Sequence, residues 1–408
     1  MDLLTNPVRV YDWGSTTAIP ELLDLSPDGS CQAELWMGAH ERAPSSVVRG
    51  DRRFGLDEVI TADPLGEVGS AGHEPARLPF MAKVLAVDEP LSLQVHPGAE
   101  QAARGYAREE RAGLAMDSGL RSYSDALAKP ELILALSEYS LICGLSTPAG
   151  ALELLGALRV PELHPMVDQL NAAGTDGVLR ALATTVRLGV DTAERWIGAA
   201  RPAAARLLAN ERWRSTAAAF LELAKRYPDD PAVLTTLLLR AYVLPPGEAL
   251  FVPPGQPHCH LSGLGFEVLA NSDNIVRAGL TGKHTDPDQW LDLVAGSAEL
   301  RPDLALRGEP EGAEIVYAPA VAEFALGVVA DVRSGTRLAD VAGPQLLFCL
   351  TGSYELSDGD TRVSLSRGQA AFVPARAEFV EASGSGTLLR VTTGRPRPAD
   401  QHPTGGPP

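Results

Sequence analysis

The stretch Gly247-Glu248-Ala249-Leu250-Phe251-Val252-Pro253 recurs as Gly368-Gln369-Ala370-Ala371-Phe372-Val373-Pro374, at a constant offset of 121 residues. In each copy a turn glycine leads into a short apolar strand that ends in proline. A repeat of this kind among many short strands indicates two related β units of the jelly-roll type. At the same offset His258 aligns with Phe379, so a histidine of the first unit has no counterpart in the second.

The texture of the sequence changes twice along the chain. From about residue 30 to 150 the chain is dominated by short apolar or alternating segments broken by Pro, Gly and Asp, which predict β-sheet. Between about 148 and 240 it is rich in Ala, Leu, Arg and Glu at helical spacing. Strand and turn patterns then return until about Thr393. We therefore predict a mainly β protein in which two cupin-type jelly rolls are interrupted by an α-helical insert.

Composition excludes several classes of function. The chain has 408 residues, 45% of them hydrophobic, and a formal net charge of -17. An acidic chain without a basic stripe is not expected to bind nucleic acid or an anionic membrane surface. The N-terminus lacks a signal-peptide pattern, and no apolar run approaches the ~20 residues of a membrane span. The four cysteines are far apart and form no CxxC motif, which fits a reducing cytoplasm.

A second stretch, Leu91-Ser92-Leu93-Gln94-Val95-His96-Pro97, alternates apolar and polar residues. In a strand this alternation places Ser92, Gln94 and His96 on one face. Glu131 and His258 add a carboxylate and a second imidazole from distant parts of the chain. This set of nitrogen and oxygen donors suits a divalent metal ion such as zinc, and we expect function to lie there.

Four blocks of sequence run through most of the chain in a fixed order. They are Tyr11-Asp12-Trp13-Gly14-Ser15 with Ala33-Glu34-Leu35-Trp36-Met37-Gly38, Leu91 to Pro97, Lys129-Pro130-Glu131, and Ser272-Asp273-Asn274-Ile275-Val276-Arg277-Ala278-Gly279-Leu280-Thr281 with Lys283. Together they resemble the type I phosphomannose isomerase family of the cupin superfamily. The fourth block is long enough to be specific by itself, whereas the Lys-Pro-Glu triplet alone would be weak.

The resemblance implies one zinc ion bound by Gln94, His96, Glu131 and His258. Two imidazoles, a carboxylate and an amide leave the ion positively charged, with room for water or a substrate oxygen. Together with the changes in sequence composition and the internal repeat, the resemblance also implies a domain layout. The expected units are a metal-binding catalytic cupin domain (1–147 with 241–300), a helical insert (148–240), a C-terminal cupin-like domain without metal (301–393) and a flexible tail (394–408).

The activity implied by the family is an aldose–ketose isomerisation that interconverts mannose 6-phosphate and fructose 6-phosphate through an enediol. This chemistry requires ring opening, a base that moves a proton between C1 and C2, and positive charge near the developing enediolate oxygen. The resemblance implies a catalytic role for Arg277. Because a guanidinium does not readily lose its proton, we assign it charge stabilisation. The alternative is a structural salt bridge to Asp273.

The sequence offers three candidates for the base that moves the proton, Glu267, Asp273 and Lys129, and their spacing does not distinguish among them. A sugar phosphate substrate also requires local positive potential in this acidic chain. The groups expected near the phosphate or the sugar hydroxyls are Lys83, Ser92, Lys129 and Lys283. For Lys83 and Lys283, ordinary solvated surface is the alternative.

Two positions depart from the family pattern. Where the family usually has Asn-His-Lys-Pro-Glu, this chain has Leu127-Ala128-Lys129-Pro130-Glu131, so a histidine that could assist ring opening is absent. Where the family usually has Pro-His-Ala-Tyr, this chain has Pro257-His258-Cys259-His260. Two-residue alternation places His260 on the same face as His258, where it could replace the tyrosine hydroxyl towards the substrate, relay a proton or join the metal shell.

Other readings remain open at this level. A diverged zinc cupin that binds sugar phosphate without turnover would explain the missing histidine, and an isomerase for a related sugar is a further alternative. A metal-dependent oxygenase on the same scaffold is disfavoured by Gln94 and by the block around Arg277. The sequence does not reveal the oligomeric state, and it is compatible with a monomer.

Overall fold

The computed structural model describes residues 1–69, 76–172, 174–296 and 303–394. Apart from Gly394, the expected flexible tail at 394–408 lies outside the described residues, as does the expected boundary at 300/301. The described chain is mainly β, as predicted. Its strands are β1 (Asp2–Leu4), β2 (Val8–Ser15), β3 (Gln32–Met37), β4 (Ser46–Arg49), β5 (Arg52–Gly55), β6 (Phe80–Val87), β7 (Leu93–Val95), β8 (Glu131–Ala135), β9 (Tyr139–Leu145), β10 (Leu239–Leu244), β11 (Ala249–Val252), β12 (His258–Ala270), β13 (Val276–Gly279), β14 (Ala305–Leu306), β15 (Glu309–Glu311), β16 (Glu314–Tyr317), β17 (Ala325–Arg337), β18 (Gln345–Ser357), β19 (Arg362–Ser366), β20 (Ala370–Val373) and β21 (Glu381–Thr392).

The helices are concentrated between β9 and β10. They are α1 (Ala18–Leu22), α2 (Leu56–Ala62), α3 (Pro64–Val68), α4 (Ala99–Arg111), α5 (Pro148–Leu158), α6 (His164–Ala172), α7 (Gly174–Val186), α8 (Val190–Leu207), α9 (Arg214–Arg226), α10 (Ala232–Thr235) and α11 (Pro287–Ala295). The stretch from 30 to 150, expected to be dominated by strands, therefore also contains α2, α3 and α4. The residues of α4 are mostly alanine, arginine and glutamate, which favour helix. In the described part of the chain, no helix is both long enough and apolar enough to cross a membrane.

Two large antiparallel sheets form the body of the molecule. The larger sheet follows the order β14-β11-β8-β12-β6-β2-β3, and β7, β9, β10 and β13 continue it beside β12. The smaller follows the order β1-β20-β18-β21-β17-β16-β15, with β19 paired to β18. The two copies of the sequence repeat form β11 in the larger sheet and β20 in the smaller, so each copy is a strand in its own sheet.

A shared apolar core lies between the two sheets. It includes residues of β6 and β12 on one side and of β18, β20 and β21 on the other. At its centre the rings of Phe266 and Phe348 are stacked with their centroids 5.7 Å apart. The C-terminal sheet is therefore packed directly on the sheet that carries the second sequence block.

We expect Phe348→Ala to lower the free energy of unfolding by about 3–5 kcal/mol, because it leaves a cavity beside Phe266 in a closely packed core. Denaturant unfolding followed by fluorescence and circular dichroism would measure this change. Leu65, which is 78% exposed, offers a control, and Leu65→Ala should change stability by less than about 0.5 kcal/mol. Equal effects of the two substitutions would contradict a shared core.

The long strand β12 organises the site. Its first part pairs with β7 and β9, and its second part pairs with β6 and β8. The register shifts after His260, where Gly263 has a φ of +118° and lies so close to β9 that a Cβ would come within 2.5 Å of the Glu138 carbonyl oxygen. Such an irregularity changes the parity of side chains along a strand. It allows Glu267 to face the same side as His258 and His260, although an odd number of positions, seven, separates it from His260.

A separate apolar core fills the helical region and reaches the back of β7. Leu93 and Val95 are fully buried in it together with residues of α5 to α11. Gln94, between them, faces the opposite way and lines a cavity. The alternation predicted for this stretch is therefore present, although the strand spans only Leu93–Val95 and not the whole quoted stretch.

Candidate metal centre and active-site cavity

Three buried side chains converge where β7, β8 and β12 meet. The Nε2 atom of His96 lies 3.1 Å from Glu131 Oε1, and that of His258 lies 3.4 Å from Glu131 Oε2. Potential ligand atoms of the three residues lie within 4.8 Å of one another. His96 Nε2, His258 Nε2 and Glu131 Oε2 are all buried and form no hydrogen bond. Buried polar atoms are rarely left without a partner, so this arrangement fits a metal ion.

Backbone carbonyl groups fix the orientation of both imidazoles. His96 Nδ1 donates to the carbonyl oxygen of Asn274 at 2.7 Å, and His258 Nδ1 donates to that of Gln256 at 3.0 Å. Each ring therefore carries its proton on Nδ1 and presents the Nε2 lone pair to the centre. Burial lowers the pKa of His96, and burial with the adjacent His96 lowers the pKa of His258 to about 3. Both rings are neutral, which is the form that binds a metal.

Glu131 supplies the negative charge of this cluster. Burial alone would raise its pKa, but His96 and Lys129 outweigh that effect and hold the pKa well below the usual range. The Lys129 ammonium lies 3.3 Å from the Glu131 carboxylate. Gln94, the fourth ligand expected from the resemblance, lies beside the cluster in the sheet, because it pairs with His258 of β12 and with Arg277 of β13.

A cavity of about 380 Å³ opens beside these side chains. Of the twelve residues selected from the sequence, ten line it, and the other two, His96 and His258, lie behind it in the cluster. The ten are Lys83, Ser92, Gln94, Lys129, Glu131, His260, Glu267, Asp273, Arg277 and Lys283. The fold therefore brings all twelve to one place, although they come from segments up to about 200 residues apart in the sequence.

Lys83 is buried and not part of an ordinary solvated surface. Its ammonium lies 3.5 Å from Glu267 and 3.8 Å from Glu34, and these carboxylates raise its pKa despite the opposing effect of burial. Glu267, opposite Lys83 in the register of β12 and β6, has its pKa raised to about 7 by burial and by the adjacent charge of Glu131. Glu34, which also accepts a hydrogen bond from Trp36 Nε1 at 2.6 Å, was not selected from the sequence.

Arg277 and Lys283 contribute positive charge without local neutralisation. Burial lowers the pKa of Arg277, and burial together with Arg277 lowers the pKa of Lys283. Among the described residues, neither side chain has a carboxylate oxygen within 4.0 Å. The alternative of a salt bridge between Arg277 and Asp273 is therefore wrong. Two uncompensated cations at the wall of a cavity favour an anionic ligand.

The chain is similar to characterised enzymes over nearly its whole length. Residues 1–147 match the catalytic domain of type I phosphomannose isomerase. The mannose-6-phosphate isomerase of Escherichia coli is 34% identical over 96% of this chain and 99% of its own length. One from Arabidopsis thaliana is 30% identical over 94% of this chain and 91% of its own. The chain belongs to the type I phosphomannose isomerase family.

Solved structures agree with this assignment. A zinc-bound holo crystal structure of mannose 6-phosphate isomerase superposes with a TM-score of 0.88 and 30% identity, and covers 97% of this chain and 99% of its own. The crystal structure of such an enzyme bound with zinc and yttrium gives a TM-score of 0.87. The family expected from the four sequence blocks is confirmed, and with it the expectation of an enzyme.

In this phosphomannose isomerase family member, Asp273 is tied to two cationic partners. Its carboxylate lies 3.2 Å from His40 Nε2 and 3.2 Å from Arg42 Nε. Burial would raise its pKa, but the hydrogen bond and charge of His40 and the charge of Arg42 lower it well below the usual range. Asp273 is thus poorly suited to accept a proton. His40 and Arg42 closely follow Ala33–Gly38, the second part of the first sequence block, but their pairing with a residue more than 230 positions away leaves no local signal.

His260 lies on the same face of β12 as His258, with the two ring centroids 5.7 Å apart. Its Nδ1 is 2.9 Å from the hydroxyl of Tyr139, and its buried Nε2 has no hydrogen-bond partner. Nε2 lies 3.8 Å from Glu267 Oε1. Burial lowers the pKa of His260 to about 4. Tyr139, which positions this ring, was not selected because nothing in its local sequence distinguishes it.

A hydrogen-bond network holds the loop in which Ala128 replaces the family histidine. The side-chain amide of Asn274 donates to the carbonyl oxygens of Asp125 at 2.9 Å and Leu127 at 2.8 Å. The backbone carbonyl oxygen of Asn274 accepts the hydrogen bond from His96 Nδ1 described above. The loop before Glu131 and the orientation of His96 therefore depend on one asparagine, which the fourth sequence block contained but the motif analysis did not single out.

Proposed function

We propose that this chain is a zinc-dependent isomerase that interconverts mannose 6-phosphate and fructose 6-phosphate through an enediol. The observation that carries the proposal is the set of three partnerless buried atoms of His96, Glu131 and His258 next to a cavity with two uncompensated cations. The relatives named for this activity match this chain over 99% and 91% of their own lengths. We further propose that the two sheets are cupin-type jelly rolls, with domain limits at 1–147 with 241–300, 148–240 and 301–393.

One zinc ion would be held by Gln94, His96, Glu131 and His258. When bound, it would supply a Lewis acid that polarises a substrate oxygen near the reacting carbons. The two neutral imidazoles and the single carboxylate leave the centre with net positive charge, as expected of a catalytic zinc site. The chain's other groups then bind and orient the sugar and move its proton.

The proton transfer requires a group that can accept the C2 proton and return it to C1. The Asp273 carboxylate is paired with His40 and Arg42, and the Lys129 side chain is held 3.3 Å from the Glu131 carboxylate of the metal cluster. We therefore propose Glu267 as the base. As the C2–H bond breaks, its electron pair forms the C1–C2 double bond and negative charge moves to the C1 oxygen. Arg277 stabilises that charge, and the C2 hydroxyl passes its proton to the C1 oxygen. Glu267 then delivers its proton to C1 as C2 becomes the carbonyl carbon.

The positive groups of the cavity explain selectivity for a phosphorylated sugar. Lys283 attracts the phosphate dianion, and Ser92, which also lines the cavity, can donate a hydroxyl hydrogen bond. Lys83, between Glu34 and Glu267, keeps the local charge balanced and contacts the sugar hydroxyls. His260 faces the same cavity and takes the place of the family tyrosine as a hydrogen-bonding group.

The test is turnover of mannose 6-phosphate by purified protein of measured zinc content. Fructose 6-phosphate formation should fall by about 1,000-fold after chelation, because loss of the Lewis acid removes several kcal/mol of transition-state stabilisation, and it should return when zinc is restored. Exchange of the C2 proton with deuterated solvent provides a second readout. Absence of both product and exchange in a folded, zinc-loaded protein would contradict the proposal and favour a sugar-phosphate-binding protein or a related sugar as substrate.

A further inference from the structure

Strand β2 forms a wall of the cavity. Arg9, Tyr11, Asp12 and Trp13 of β2 all line the cavity. The rings of Tyr11 and Trp13 are stacked with their centroids 5.6 Å apart and a 17° angle between their planes. Arg9 stands at one end of this aromatic wall.

Two cations lie against the Tyr11 ring. The guanidinium carbon of Arg9 is 6.0 Å from its centroid, and the Lys283 ammonium is 5.7 Å from it. Arg9 also lies 5.3 Å from the centroid of Trp36. Aromatic faces attract cations without neutralising them, so both groups keep their full charge and their free N–H donors.

No carboxylate among the described residues neutralises Arg9. Its neighbour across the sheet, in register on β3, is Glu34. The carboxylate of Glu34 is instead engaged by the Trp36 indole at 2.6 Å and faces Lys83 at 3.8 Å. Two cations without a carboxylate partner beside one ring, in a chain with a net charge of -17, mark a local site of positive potential.

The position of this site relative to the proposed base fits one end of a substrate. The Trp36 ring contacts both Arg9 and, at 5.1 Å, Lys83, and Lys83 lies 3.5 Å from Glu267. The cavity therefore leads from Glu267, where the proton would move, past Trp36 to Arg9. A sugar whose C1 and C2 lie at Glu267 would direct its other end towards Arg9 and Lys283.

We propose that Arg9 is a specificity-determining residue that binds the phosphate group of the substrate together with Lys283. This inference rests on the proposed function for the identity of the sugar, but not for the binding of phosphate. A planar guanidinium matches two phosphate oxygens at once, and the aromatic wall restricts its motion before the ligand arrives. Arg9 thus favours a phosphorylated sugar over the free sugar without contacting the reacting carbons.

Steady-state kinetics with mannose 6-phosphate test the proposal. The variants to compare are Arg9→Met, Arg9→Lys and Arg52→Met. Loss of a charge-assisted hydrogen bond should raise KM for mannose 6-phosphate about 10- to 100-fold in Arg9→Met. We expect kcat to change less than about threefold, because the contact is equal in the ground and transition states. Arg9→Lys should recover part of the affinity. Arg52, which lies over Phe54 at 5.0 Å and does not line the cavity, is the matched control and should leave KM unchanged.

Calorimetric titration of the same proteins with inorganic phosphate separates this inference from the proposed function. Phosphate should bind the unmodified chain and bind Arg9→Met about tenfold or more weakly. That result would support Arg9 even if the chain did not turn over mannose 6-phosphate. Equal phosphate binding by Arg9→Met and the unmodified chain, or no phosphate binding by either, would overturn the proposal. Unfolding midpoints of all variants should agree, which would exclude a general loss of structure.

Discussion

Replacing His96 with alanine should remove the bound zinc and lower kcat/KM by about 1,000-fold or more, because the metal supplies several kcal/mol of transition-state stabilisation. His96 offers one of the two imidazole lone pairs that face Glu131, and Asn274 fixes its ring so that no other orientation is available. Alanine leaves a cavity and an uncompensated carboxylate at the same place. Zinc content by atomic absorption and initial rates with mannose 6-phosphate measure the two effects.

His164 provides the control for this substitution. It is exposed at the start of α6 and does not line the cavity, so His164→Ala should keep both its zinc and its rate. Retention of stoichiometric zinc by His96→Ala at the normal rate would show that the three buried atoms do not form the metal centre. Loss of zinc without loss of rate would show that the metal is structural.

The second large effect is expected for Arg277→Met. This change removes a half-buried charge that has no carboxylate partner, and we expect kcat to fall by about 100- to 1,000-fold, as on removal of a preorganised oxyanion donor. Zinc content should remain unchanged, because the expected metal ligands do not include Arg277. Arg277→Lys should recover only part of the rate, since an ammonium lacks the planar pair of donors.

Steady-state kinetics with measured zinc content test this expectation. Arg104, which forms an exposed ion pair with Glu100 on α4, is the control, and Arg104→Met should behave like the unmodified chain. A kcat for Arg277→Met within a few-fold of normal would refute charge stabilisation by Arg277 and would leave it as a binding group. A change confined to KM would lead to the same conclusion.

Local patterns in the sequence were sufficient to place Gln94 and His96 on one side of their stretch. Alternation around Gln94 and His96 depends only on strand geometry, and the structure retains it even though β7 spans just three residues. The repeat at Gly247 and Gly368 likewise reports a local turn and strand, and each copy forms one. In both cases the information lies within a few neighbouring residues, where sequence reasoning is strongest.

The groups that escaped prediction act through long-range contacts. His40 and Arg42 hold Asp273, Tyr139 holds His260, and Asn274 holds His96, each across 100 to 240 residues of sequence. Glu267 was a candidate base by its residue type, but its orientation did not follow from the sequence. It faces the cavity because the register of β12 shifts after His260, whereas simple alternation from His258 would place it on the other side. Backbone irregularities and distant partners of this kind follow from the complete fold and not from the spacing of residue types.

The packing behind β7 has a consequence for how this protein varies. Leu93 and Val95 are buried among the helices, while Gln94 between them faces the cavity. A three-residue strand is not stable by itself, so its position depends on the packing of Leu93 and Val95 against the helices. Evolution can therefore alter the metal's surroundings through substitutions in the helices that never touch the ion. Drift in that region is constrained by the placement of a single amide as well as by the stability of the helices themselves.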